Sequence, residues 1–354
     1  MLRQYTYIFL DVEAALIQGK QHIIEIGAIK WLPDGTIEEF SQLIQPIKFR
    51  KLNNHIQKLT GITTEQLRNA PSFNQVMPKF KRWCEGETIF IAFGDFDRKV
   101  LEEQLNYYHM DTGFIYPFVD FQQKYMIENQ LKEQPSLSGL LEKHALTSEI
   151  QHRALADAMS LFKIFEKVDG HKMIETQKTN IFSMILSELR PMEEYYELYI
   201  THIEGEITSS SSLKIQSITT VNQNLLFEQK MEEREMEDGN KEVVQRTIIH
   251  PNTEVEKFLK YIISDLHHKV LITRSGLKQL SKINRLHDAV FPKMETMTLQ
   301  QLLSDEESVN DFTLNNLSIS TFEHKLYRLF SEYEEQIVDE FKKRHLFVKE
   351  KVHI

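Results

Sequence analysis

Two acids one residue apart, Asp11 and Glu13, close the apolar run Tyr5-Thr6-Tyr7-Ile8-Phe9-Leu10. Strand side chains alternate between faces, so a strand here aims both carboxylates the same way. Like charges side by side repel, and a hard divalent cation such as Mg²⁺, which takes oxygen ligands, neutralises them. Asp97 follows a second apolar run, 88–93, where a helix is expected to begin. An acid there serves as an N-cap or first-turn residue more often than as a ligand. His152 and Asp157 stand five apart in Gln151-His152-Arg153-Ala154-Leu155-Ala156-Asp157-Ala158. On a helix that spacing turns through about 500°. Leu155, Met159 and Phe162 make its buried stripe, so the N-terminal half presents a His and an Asp beside small residues. Taken alone, the pair reads more readily as a surface His and a first-turn acid favoured by the helix dipole.

In order, these motifs are Asp-x-Glu on a first strand, Asp at a strand-to-helix junction, then His-x4-Asp on a late helix. That order resembles the DEDDh family of 3′-5′ exonucleases. Ile24-Glu25-Ile26-Gly27-Ala28-Ile29 is similar to the family's second strand, and Leu59-Thr60-Gly61-Ile62-Thr63 to its LTGIT turn. Ser136-Leu137-Ser138-Gly139-Leu140-Leu141 is similar to the helix before the last motif. The turn followed by Gln66-Leu67 and Ala70-Pro71-Ser72-Phe73 resembles most the Eri and KapD branch, and the likeness covers roughly residues 1–170.

The resemblance implies an RNase H-like α/β fold: a mixed five-stranded sheet with flanking helices. It implies two Mg²⁺ or Mn²⁺ ions held by Asp11, Glu13, Asp97 and Asp157, with His152 as general base. Metal-assisted hydrolysis would then remove nucleotides from the 3′ end of single-stranded RNA or DNA, with RNA slightly favoured. Asp95 rivals Asp97, whose register before Val100-Leu101 fits the family motif better. One departure is Ala14-Ala15-Leu16-Ile17, where the family has small polar groups in a loop that holds the terminal nucleotide. Leu16 or Ile17 could wedge against the last base there, or be plain loop hydrophobes. Lys48, Arg50 and Lys51, just before the LTGIT turn, are candidates for backbone-phosphate contact, or ordinary solvated surface. The alternative function is a weak or inactive protein that keeps the fold and binds nucleic acid or acts as a scaffold.

The elements that must position these residues need a large chain, and 354 residues with 41% hydrophobic content suffice for two domains. No run of about 18 apolar residues is present, so no membrane span is expected. A chain that starts directly into a strand reads as lacking a signal peptide. The single cysteine, Cys84, cannot form an internal disulfide, and a cytoplasmic setting follows. A net charge of −10 is unusual for a nucleic-acid binder, and most of the excess lies in the second half. Bound cations would offset the acids of the first half. Such a protein should favour short or single-stranded ends over long-range electrostatic grip.

The expected organisation is an exonuclease domain over 1–170, a helical connector over 171–194, a second α/β domain over 195–335 and a C-terminal helix over 336–354. The second domain carries no recognised motif but parallels the first. Residues 196–204 parallel 5–13, 269–273 parallel the strand at 88–93, and 322–330 parallel the last motif helix. It is read as a degenerate copy of the same fold. In that register His202 replaces Asp11, Gly276 replaces Asp97, Leu317 replaces His152 and Phe322 replaces Asp157, and only Glu204 persists. The acidic stretch from Met231 to Asp238 is expected as a solvated hairpin tip. A protein partner or a dimer through this domain is a further expectation.

Overall fold

The computed structural model describes residues 5–147, 152–235, 241–264, 266, 269–274, 283, 296–303, 306–314 and 316–346. The chain divides into two compact units, 1–177 with 343–345 and 178–342 with 346–354.

The first unit is built on a sheet of order β3-β2-β1-β4-β5. Strands β1 (Thr6–Ile17), β2 (Lys20–Trp31) and β3 (Ile37–Leu43) form an antiparallel meander. Strands β4 (Thr88–Ala92) and β5 (Phe118–Asp120) run parallel to β1. This is the mixed sheet of the RNase H-like exonuclease fold. The β1–β2 turn has positive φ at Gln18 (52°) and Gly19 (80°), as primed two-residue turns require.

Because β1 is central, its side chains enter two cores. Ile8, Leu10 and Val12 pack with Phe73, Val76 and Phe80 of α3 (Phe73–Trp83) and with Val100, Leu101 and Leu105 of α4 (Phe96–Tyr107). Tyr7 and Phe9 face α7 (Ala154–Lys167), and the Phe9 ring lies 5.3 Å from Phe162 and 5.1 Å from Phe165. Helices α1 (Asn54–Thr60), α2 (Thr64–Arg68), α5 (Phe121–Glu128), α6 (Leu137–Lys143) and α8 (Gly170–Thr176) complete the unit. Gly61 ends α1 at φ 72°, and Thr63 with Gln66 forms a capping box on α2.

The second unit holds a five-stranded sheet of order β12-β11-β6-β7-β8. Strands β6 (Ile181–Pro191), β7 (Tyr196–Ser209) and β8 (Ser212–Leu225) are antiparallel. Strands β11 (Val270–Thr273) and β12 (Thr296–Thr298) run parallel to β6. Its strand order and directions are therefore those of the first sheet. A hairpin of β9 (Phe227–Glu235) and β10 (Lys241–Ile249) lies between β8 and α9 (Thr253–Ser264).

Several expectations change. The supposed helical connector contains α8 and then β6, and the second unit begins near 178 rather than 195. Residues 181–186 are a continuous apolar run, which periodicity cannot assign between a buried helix and a central strand. The strand in β1's place is thus β6, and His202 and Glu204 lie on β7, the counterpart of β2. Residues 231–235 belong to β9 rather than to a hairpin tip. Asp238 lies outside the described residues, as do Gly276 and the helix expected over 277–286 apart from Ile283. The terminal helix is Glu334–Lys343, and residues 347–354 lie outside the described set.

Candidate active site

Asp11 and Glu13 sit midway along β1, just past its last pairing with β4 at Phe9–Ile91. In mixed α/β sheets ligands gather at this carboxyl edge of the parallel strands. Residue alternation turns both acids toward α7, whose first turn contributes Asp157. Carboxylate oxygens of Asp11, Glu13 and Asp157 all lie within 4.8 Å of one another. Asp97, in the first turn of α4, is 6% exposed, and its Oδ1 accepts the Val12 N–H at 2.9 Å. That bond fixes the fourth carboxylate against the strand between the first two.

Burial and mutual repulsion govern these acids. Burial, followed by the charges of Asp97, Asp157, Glu13 and Glu25, pushes Asp11 well above the usual carboxylate range. Glu13 is pushed up to about 7, first by burial and then by Asp157, Glu25 and Asp97. Asp97 is also pushed up to about 7, again mainly by burial. Asp157 is raised by burial although the His152 N–H donates to it. Four carboxyls that resist ionising together at neutral pH, all hard oxygen donors, fit divalent cations such as Mg²⁺ or Mn²⁺.

Asp95 differs. Burial alone would raise it, but Arg98, bonded at 2.6 and 3.0 Å, and Lys99 at 3.0 Å hold it below its usual value. Its charge is spent on α4 itself.

His152 does not lie on α7. It stands two residues before the helix, exposed, at φ 59°, and its N–H donates to Asp157 Oδ2 at 3.1 Å. The helical spacing of the pair therefore gives way to a turn that folds His152 back onto Asp157. Ala14–Ile17 are not a loop either. They continue β1 after a register shift at Glu13/Ala14, pairing with Lys20–Ile23. The bulge bends the strand just past the acids, and leaves Leu16 69% exposed near the hairpin tip, with Ile17 half-buried. Lys48, Arg50 and Lys51 are exposed in the segment between β3 and α1.

The sequence reading missed Glu25 and Arg153, joined by a bidentate pair whose shortest bond is 2.6 Å. They are 128 residues apart, and local pattern carries no signal that joins them. The buried acid on β2 beside Gly27 was the available hint.

The corresponding place in the second unit is built differently. The pairing of β6 with β11 ends at Ile185–Thr273, and the acid that follows it on β6 is Glu188. In the helix Ile319–Glu332, Phe322, Leu326 and Phe330 recur as Asp157, Leu161 and Phe165 do in α7. Glu188 accepts from Arg190 at 2.8 Å and from the Leu314 N–H at 2.6 Å, with Arg274 at 4.0 Å.

Residues 8–165 match the exonuclease family model. The probable 3′-5′ exonuclease KapD of Bacillus subtilis is 27% identical over 177 residues, 47% of this chain and 85% of that protein. A PolC-type DNA polymerase III of Staphylococcus haemolyticus is 28% identical over 218 residues, 60% of this chain and 14% of the polymerase. The chain thus spans only about a seventh of that relative's length. Among solved structures, the nuclease domain of 3′hExo, a DEDDh family member, is 22% identical at a TM-score of 0.43, covering 48% of this chain and 94% of that one. Residues 8–165 thus form an exonuclease domain, similar over most of its length to a probable 3′-5′ exonuclease.

Proposed function

We propose that the first unit hydrolyses phosphodiester bonds at the 3′ end of single-stranded nucleic acid, RNA in preference to DNA. The observation that carries this reading is the convergence of Asp11, Glu13 and Asp157 within 4.8 Å, with Asp97 buried beside them, inside a domain of exonuclease family. These four carboxylates would hold two divalent cations, Mg²⁺ or Mn²⁺. When bound, such ions neutralise the phosphate, make an attacking water more acidic and stabilise the leaving oxygen.

The chain's own residues do the rest. His152, exposed at the rim, would take the proton of the attacking water on its imidazole. Asp157 holds the His152 backbone in place. Asp97, bonded to Val12, keeps its carboxylate at a fixed position on the strand that carries Asp11 and Glu13. The exposed Leu16 and the cations Lys48, Arg50 and Lys51 are the proposed contacts for the terminal base and the backbone phosphates.

The second unit is read as a degenerate copy without metal. Its sheet order and directions support this, as do Phe322 at the helix position that Asp157 holds in α7 and the pairing of Glu188 with arginine. A cytoplasmic setting rests on the lone buried Cys84; no described helix is long and apolar enough to cross a membrane.

The test is a time course on 5′-labelled single-stranded RNA and DNA of one sequence, in Mg²⁺, Mn²⁺ or EDTA, with Asp11→Ala alongside. The expected result is a metal-dependent ladder shortening from the 3′ end, faster on RNA and absent in the variant. No ladder with either metal would overturn the reading in favour of a binding or scaffold role.

A further inference from the structure

Helix α7 begins without a cap of its own. Its N-cap residue, Arg153, is extended (φ −133°, ψ 125°) and its side chain accepts no N–H of the first turn. The free N–H groups there need an acceptor from elsewhere. Glu25, on β2, supplies it: Oε2 accepts the Ala154 N–H at 3.1 Å. The same carboxylate accepts from Arg153 Nε at 3.0 and 3.1 Å and from Nη2 at 2.6 Å. Glu25 is 1% exposed and pairs directly across the sheet with Glu13. Two residues further, a Cβ on Gly27 would overlap the backbone of Ala154 and Leu155, so α7 rests on bare β2 backbone. The segment clamped in this way carries both Asp157 and the left-handed His152, tied to each other through the His152 N–H.

We infer that Glu25 and Arg153 are a positioning pair for the active site. By capping α7 from β2 they set Asp157 and His152 against Asp11 and Glu13, and so act on turnover rather than on substrate affinity. This rests on the exonuclease reading above. A bidentate charged pair fixes direction as well as distance. Single-partner loss leaves a buried carboxylate or a helix start without its partner. The pair also lines an open groove of about 640 Å³ with Gln66 and Asn69, where Arg153 could instead meet a substrate phosphate. The two roles separate in kinetics.

The experiment compares the full chain with Arg153→Lys, Arg153→Ala and Glu25→Gln. Two readouts are used: steady-state kinetics on a labelled oligonucleotide, and amide hydrogen exchange over 154–158. Arg153→Ala is expected to lower kcat about 10- to 100-fold, the usual cost of losing support for a metal ligand, with KM within about twofold. Arg153→Lys should recover part of this loss, since the charge remains but the fork does not. Millimolar guanidinium should restore part of the kcat of Arg153→Ala. Exchange at 154–158 should quicken in both Arg153→Ala and Glu25→Gln. A raised KM at unchanged kcat would assign Arg153 to substrate phosphate and overturn the inference. So would wild-type kcat in variants that are merely less stable. Should the unaltered chain show no turnover, the exonuclease reading falls. Exchange then decides this inference separately: unchanged rates at 154–158 would overturn it.

Discussion

Replacing Glu13 by Gln should stabilise the metal-free protein while weakening its response to metal. The carboxyl of Glu13 moves from 4.5 to about 7 on folding, chiefly through burial and then through Asp157, Glu25 and Asp97. A folded value above the unfolded one means the stability this group allows is fully present below about pH 4.5. It is lost as pH rises toward 7, and the loss is complete above that. The displacement corresponds to about 3 kcal/mol at pH 8, an upper figure because neighbouring carboxyls protonate together and share it. Glu13→Gln keeps the shape and removes the charge. In EDTA it should exceed the wild type by about 2–3 kcal/mol at pH 8 and match it at pH 4. In a unit of this size that is a rise in Tm of about 4–12 °C. The assay is urea and thermal unfolding at pH 4, 6, 7 and 8, with EDTA or with millimolar Mn²⁺. With Mn²⁺ the order should reverse, because the ion stabilises the wild type by mass action and binds the variant more weakly. A variant no more stable than wild type at pH 8 in EDTA, or a difference independent of pH, would refute the view that these acids are held together against their repulsion.

Other outcomes follow from the same geometry. Asp97→Asn can still accept the Val12 N–H, so the fold should persist while kcat falls about 100-fold or more; Asp95→Asn should leave kcat within about twofold and cost about 1 kcal/mol through its bonds to Arg98. Activity and urea unfolding on the two proteins separate them. Gly27→Ala forces a methyl into the backbone of α7 and should destabilise by about 3 kcal/mol or more, seen as a lowered Tm and faster exchange in α7. His152→Ala should reduce kcat about 10²- to 10⁴-fold with little change in Tm, since the side chain is exposed. Equal kcat in that variant would remove His152 from the proton-transfer role.

The first sheet was legible because its signals are local. The apolar, β-rich run 5–10 closed by Asp11 and Glu13 marks a strand end, Gly61 marks a left-handed helix end, and the run 88–93 followed by acids marks a strand-to-helix junction. Residues 181–186 defeated the same method, since a strand buried on both faces carries no periodicity to tell it from a helix. Misplacing β6 then shifted the whole comparison of the two halves by one strand. Ala14–Ile17 were misread for a related reason. A bulge lets β1 run on past its acids, and a bulge depends on pairing with β2 rather than on its own residues.

By itself the sequence determined which chemistry was available: five residues, four acids and a histidine, in an order that only a few frameworks can use, and the apolar runs that make the strands carrying them. Tertiary structure decided which charges remain free. Asp95 and Asp97 are nearly indistinguishable in sequence, but Arg98 and Lys99 neutralise the first while Val12 fixes the second beside Asp11. It also decided what holds the site. His152 lies in a left-handed turn rather than on α7, and the cap of that helix comes from Glu25, on a strand more than a hundred residues away. Short-range pattern encodes strands and helices through side-chain periodicity. The state and support of a buried charge depend on neighbours brought in by the fold, which periodicity does not record.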